Sequence, residues 1–195
     1  MRTVAISLLV GVGAIASATN LTGTLSVDNQ FSFYISDDDS QLGTLITSST
    51  DWTNPTAINV SLKDGQDLFI HVVGFNDGGP DMFIGTFNLS DTGFEFANGG
   101  QMLNTDLTNW KGNTTGFGNA MSTPLDYGPS GTSPWGSLNG IDSGAHFIWM
   151  DPQDGVNVNN YFSTKITANA VPEPISASAL GVGFLGLLAR RRKRN

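Results

Sequence analysis

Leu21-Thr-Gly-Thr-Leu-Ser-Val-Asp-Asn-Gln-Phe-Ser-Phe-Tyr-Ile35 alternates. Leu21, Leu25, Val27, Phe31, Phe33 and Ile35 fall on odd positions, and Thr22, Thr24, Ser26, Gln30, Ser32 and Tyr34 on even ones. Successive side chains of an extended chain point to opposite faces, so the pattern predicts a half-buried strand pair, interrupted at the polar Asp28-Asn29. Downstream, further strands are expected near residues 43–48 and at Ile58, Val60 and Leu62. The stretch 67–75 is almost continuously apolar and reads as a central strand buried on both faces. Others follow at 83–89, around Phe94 and Phe96, at 145–150 and at 160–168. Only residues 101–110, with Leu103, Leu107 and Trp110, carry a spacing that fits a short helix. Many short strands separated by Gly and Asn turns predict a mainly β, antiparallel sandwich. Residues 112–140 differ: ten of these 29 are Gly or Pro, so a long loop is expected there. Loops beyond about 12–15 residues are uncommon in compact domains and are usually functional or disordered.

Both ends of the chain read as targeting segments. Met1-Arg2-Thr3, an apolar run over residues 4–15 and the small-residue site Ala16-Ser17-Ala18 predict a signal peptide over residues 1–18, cut after Ala18. At the other end, Pro172-Glu173-Pro174 is followed by an apolar run over residues 175–189 and by Arg190, Arg191, Arg192, Lys193 and Arg194. The run gives one transmembrane helix of about 22 Å at ~1.5 Å per residue, against a hydrocarbon core of about 30 Å. Bilayer thinning and snorkelling of Arg190 can cover that deficit. The basic cluster stays cytoplasmic, which places the body across the membrane.

The tail over residues 171–195, with all three parts in order, resembles the PEP-CTERM sorting signal of bacterial envelope proteins. That resemblance implies an exosortase, a membrane-embedded processing enzyme, cutting near the motif in a bacterium that makes exopolysaccharide. The implied partners are this enzyme, the export translocase and signal peptidase. The implied location is an inner-membrane intermediate, then the cell surface or extracellular matrix.

Residues 19–170 form the body and are long enough for one domain with a core. The two ends hold six of the nine basic residues, and the body keeps Lys63, Lys111 and Lys165 against sixteen acids, a net charge of −13. Such a surface repels phosphate backbones and excludes nucleic acid as a partner. There is no cysteine, so thiol catalysis and Cys-ligated metals are excluded.

The body contains Asp28-Asn-x-Phe-x-x-Tyr-Ile35, then Trp52, then Ile58-x-Val-x-Leu62. Gly65-x-x-Leu-x-Ile-x-Val-x-Gly-x-Asn76, Gly78-Gly79-Pro80, Trp149 and Tyr161-Phe162 follow. This order is similar to the galactose-binding-like jelly-roll domains of bacterial surface proteins. The resemblance implies a jelly-roll sandwich and a carbohydrate ligand held on variable loops, and it assigns no binding residue here.

No catalytic constellation is recognisable. His71 and His146 lie in expected strands among apolar neighbours and read as sheet-face histidines. Sugar binding calls for aromatic platforms beside polar groups. Tyr127 and Trp135 in the long loop are the first choices, followed by Trp52 and Trp110; Trp149 reads as core. No cofactor is expected apart from a structural calcium, for which Asp37 and Asp39, and Asp151 and Asp154, supply oxygen ligands around turns. Three functions stay open: a non-catalytic module binding exopolysaccharide, a structural matrix protein or adhesin, and a glycan hydrolase.

Overall fold

A computed structural model of the chain describes residues 18–63, 65–151 and 158–169. The sorting motif, the basic cluster, Ala16 and Asp154 lie outside the described residues, and Ala18 is the first residue within them. The described residues are mainly β and contain no helix. None is therefore long and apolar enough to cross a membrane as a helix.

Twelve strands are described. In chain order they are β1 (Asn20–Asp28), β2 (Gln30–Ser36), β3 (Thr44–Ser49), β4 (Thr56–Ser61), β5 (Leu68–Phe75) and β6 (Met82–Leu89), then β7 (Phe94–Phe96), β8 (Met102–Asn104), β9 (Lys111–Asn113), β10 (Leu125–Pro129), β11 (His146–Trp149) and β12 (Asn159–Ala168). They form two antiparallel six-stranded sheets. The first runs β10-β11-β6-β1-β4, with β8 also on β6; the second runs β3-β2-β5-β12-β7, with β9 also on β12.

The alternation in residues 21–35 holds, but its two halves do not form a hairpin. β1 pairs with β4 and β6, and β2 pairs with β3 and β5, so the chain crosses between sheets at Asp28-Asn29. Leu21, Leu25, Val27, Phe31 and Phe33 point from both sheets into one core and are at most 5% exposed. Rings bridge the layers there: Phe33 stacks on Phe87 at 6.0 Å between centroids, and Phe83 lies 5.1 Å from Phe162. Phe87 lies flat over its own sheet because Gly23 and Gly85 leave it room. A Cβ at either would come within 2.9 Å of the ring. The arrangement is sandwich-like, two sheets facing one another across a shared apolar layer.

Two expectations change. Residues 101–110 form β8 and a turn rather than a helix. The Asp106 carboxylate accepts hydrogen bonds from Thr108 N and Asn109 N, a local bond that competes with helical pairing. Residues 112–140 are a long connection that is not structureless: its start, with Phe117, packs on the second sheet, and its later part, containing β10 and Trp135, covers the first sheet's outer face. That face carries a second apolar cluster of Met82, Ile84, Trp135, Ala145 and Phe147.

Candidate functional site

β5 lies between β2 and β12, and its alternation sends Leu68, Ile70 and Val72 into the core. Phe69, His71, Val73 and Phe75 therefore face outward. Register sets their neighbours in rows: Gln30–Phe75–Asn159, Ser32–Val73–Tyr161, then Tyr34–His71–Ser163. The first two rows border an open depression of about 340 Å³ lined by Gln30, Phe31, Ser32, Val73, Phe75 and Asn159. Phe75, Tyr161 and Tyr34 are half-buried, with ring surface beside amide and hydroxyl groups.

The third row is closed over. His71 is fully buried, its Nε2 3.0 Å from Asp39 Oδ1 and its Nδ1 3.4 Å from Leu42 O. Phe117 stacks on His71 at 3.8 Å and meets Tyr161 edge-on at 5.3 Å. The loop that carries Phe117 is held by Asn113, whose Oδ1 accepts from Thr115 N and Gly116 N. Ser163 Oγ donates to the same Asp39 oxygen that His71 contacts. Ser, His and Asp thus meet, but the carboxylate stands in the middle. Activating a serine requires the imidazole between hydroxyl and carboxylate, so this trio fastens the 37–43 turn to the sheet and activates no nucleophile.

A second His–Asp pair lies at the edge of the first sheet. His146 Nδ1 is 2.9 Å from Asp126 Oδ1, and each side chain is about one third exposed. Burial pushes the Asp126 carboxyl up, but hydrogen bonds from His146 and Gly128 N outweigh it and hold the group below the usual carboxylate range.

The four rings expected from sequence do not form one platform. Trp110 is fully buried among Phe83 and Phe87, and its Nε1 donates to Asn104 O at 3.2 Å. Trp135 is 7% exposed, packs 4.9 Å from Phe147 and donates from Nε1 to Asp28 Oδ2 at 3.0 Å. Tyr127 is half-buried, with its hydroxyl on Asp151 O at 2.8 Å. Trp52 packs half-buried against the Trp135 cluster.

The aspartates expected to serve calcium belong to two separate turns. Asp37 is exposed and reaches Gln66 Nε2 at 3.4 Å, and Asp39 is engaged by His71 and Ser163. Among the described residues no group of three or more His, Cys, Asp or Glu is disposed to hold a metal.

The outward positions of Gln30, Phe75 and Tyr161, in two adjacent rows, escaped the sequence reading. The signal was the odd-numbered parity of 69–75, hidden because so apolar a strand reads as buried on both faces. No protein-family model, curated protein or solved structure matches this chain.

Proposed function

We propose that this chain is an exported, non-catalytic module of jelly-roll type that binds extracellular polysaccharide on the outer face of its second sheet. One observation carries the binding reading: the half-buried ring of Phe75 lines a depression edged by Gln30, Ser32 and Asn159, and half-buried Tyr161 pairs across the sheet with Val73 of that lining. A sugar ring offers an apolar face to stack and hydroxyls for amides to bond, and this surface pairs the two. The jelly-roll reading is supported by strands that switch sheets repeatedly, β1 in the first, β2 and β3 in the second, β4 in the first and β5 in the second. Export and exosortase processing rest on the two terminal motifs, with the cell envelope or surrounding matrix as destination.

The test is direct. The protein is incubated with exopolysaccharide from its own host, and retention is compared with that of Phe75→Ala and Tyr161→Ala. Saturable retention that both variants lose supports the proposal; equal retention by the variants sinks it. Mass spectrometry of the mature protein checks trafficking, and a surface form ending at Asn195 would refute processing. A matrix protein is the second reading, favoured by Leu42 and Leu45, 44% and 55% exposed at and beside the edge strand β3. Uncovered edges invite pairing with another chain, so concentration-dependent self-association without sugar affinity would favour that reading.

A further inference from the structure

The chain holds two Asn-Gly pairs, Asn98-Gly99 and Asn139-Gly140. Such a pair is able to react with itself, because glycine has no Cβ to shield its backbone nitrogen from the side chain before it. Both asparagines are exposed, so access to water does not separate them. Their hydrogen bonding does.

Asn98 is held at both ends of its amide. Its Oδ1 accepts from Gly100 N at 2.9 Å, and its Nδ2 donates to Met102 O at 2.9 Å. The nitrogen that would attack is engaged as well, since Gly99 N donates to Phe96 O at 2.8 Å. Reaction there requires all of these bonds to open together.

Asn139 is free by comparison. Among the described residues neither its side-chain amide nor Gly140 N makes a hydrogen bond. The turn around the pair is closed by a 3.2 Å bond from Ile141 N to Leu138 O. What surrounds the pair is fixed. Leu138 and Ile141, on either side of it, pack against the cluster of Met82, Ile84 and Trp135. Just beyond, Asp142 N donates to Thr86 Oγ1 at 2.9 Å, and Asp142 Oδ1 accepts from Asn104 Nδ2 at 3.0 Å. Gly140 itself passes close over β1, where an added Cβ would lie 3.1 Å from Thr24 Oγ1. The reactive pair is thus an exposed link between two anchored apolar residues of the cover over the first sheet.

We propose that Asn139-Gly140 is a self-modification site whose product loosens this cover, while Asn98-Gly99 is protected. Gly140 N loses its proton to hydroxide and attacks Asn139 Cγ. The new N–C bond closes a cyclic imide as the Cγ–Nδ2 bond breaks and ammonia leaves. Water then opens the ring at either carbonyl, giving aspartate or isoaspartate, and no oxidant or cofactor takes part. Either product adds a negative charge to an acidic body. Isoaspartate also routes the backbone through Cβ, which lengthens the span from Leu138 to Ile141 by a methylene. The two anchors then no longer fit their places beside Met82 and Ile84.

The full chain is aged at mildly alkaline pH, digested and mapped by mass spectrometry, with enzymatic methylation of isoaspartate as a second readout. Isoaspartate is expected at residue 139 at least about tenfold faster than at residue 98, whose hydrogen bonds must open first. In urea, where those bonds are lost, the two pairs should react at similar rates. No reaction at residue 139, equal rates in the folded protein, or a preference that survives in urea would each overturn the proposal. The aged chain should melt roughly 2–4 °C lower. Asn139→Gln, whose longer side chain closes a ring far more slowly, should keep its Tm through the same ageing. Asn139→Asp adds the charge without lengthening the backbone and should melt with the unaged protein. An aged chain of unchanged Tm, or Asn139→Asp melting as low as the aged chain, would overturn the loosening of the cover by backbone lengthening.

Discussion

The two outer faces of the sandwich began from the same alternation and ended differently. On the first sheet, the segment with Trp135, Leu138 and Ile141 folds back over Met82, Ile84 and Phe147, and Trp135 is 7% exposed. β6 is consequently buried at every position but one, inward and outward alike. On the second sheet, among the described residues, Phe117 and the 37–43 turn reach over at His71, and Phe75, Val73 and Tyr161 stay half-buried. The contrast teaches that an aromatic in a Gly/Pro-rich segment is not thereby available to a ligand. When such a segment packs, its rings become core. The rings left for recognition sit on strands that the described residues leave partly uncovered.

The sharpest way to break this comparison is to truncate one ring on each face. Trp135→Ala should cost about 3–5 kcal/mol, the usual range for a buried aromatic, and strip Asp28 Oδ2 of its donor. For a domain of this size that is a fall in Tm of about 10 °C or more by calorimetry. The folded fraction should bind polysaccharide as before. Tyr161→Ala should behave conversely, with a small change in Tm and polysaccharide affinity reduced at least about fivefold, since contact aromatics carry upwards of ~1 kcal/mol. If Tyr161→Ala unfolds the protein while Trp135→Ala only weakens binding, the two faces have been assigned the wrong way round. A smaller effect belongs to Ser163→Ala. Loss of its bond to Asp39 should cost about 1 kcal/mol in chemical denaturation. Turnover of ester or glycan substrates that depended on this hydroxyl would show that the Asp-centred trio is more than a fastening.

Much of the fold was legible because alternation is a strictly local signal. The odd-position apolar residues of 21–35 are the core, and the strands near 58–62, 83–89 and 160–168 lie close to where composition puts them. What alternation cannot carry is pairing. Nothing in Asp28-Asn29 distinguishes a hairpin from a crossing between sheets, because both need the same polar break. The helix expected over 101–110 failed for a local reason, the Asp106 side chain bonding the backbone two and three residues on. The binding face was less legible than the fold. Trp135 and Trp110 look alike in sequence to any exposed tryptophan, and their burial depends on partners such as Phe147 and Phe83 that are distant in the chain. The pairing of Phe75 with Gln30 and Asn159 depends on register among β2, β5 and β12, which no single stretch encodes.

The smallest expected effect separates the faces by pH. Asp28 lies beneath Trp135, and burial raises its carboxyl above the usual range, with the indole hydrogen bond opposing. A raised folded value means Asp28 contributes most below the unfolded value near 3.9, and that contribution is lost as pH rises through the folded value. Ionised Asp28 is therefore a burden at neutral pH, and Asp28→Asn should raise Tm slightly near pH 7 and leave it unchanged near pH 3. Exposed carboxylates elsewhere have the opposite sign. Asp67 is lowered by Lys165 and Ala168 N, and Asp91 by Thr19, Gly93 N and Ser90. Their contribution is present above the unfolded value and is lost as pH falls through the lowered ones, so overall stability should decline below about pH 4. Solvent screens these surface groups, which keeps the decline shallow. Thermal melts of both chains across this range read the two trends separately. A stabilisation by Asp28→Asn that persists undiminished in acid would mean that the cost at this position is steric, and that the cover over the first sheet constrains Asp28 by shape rather than by charge.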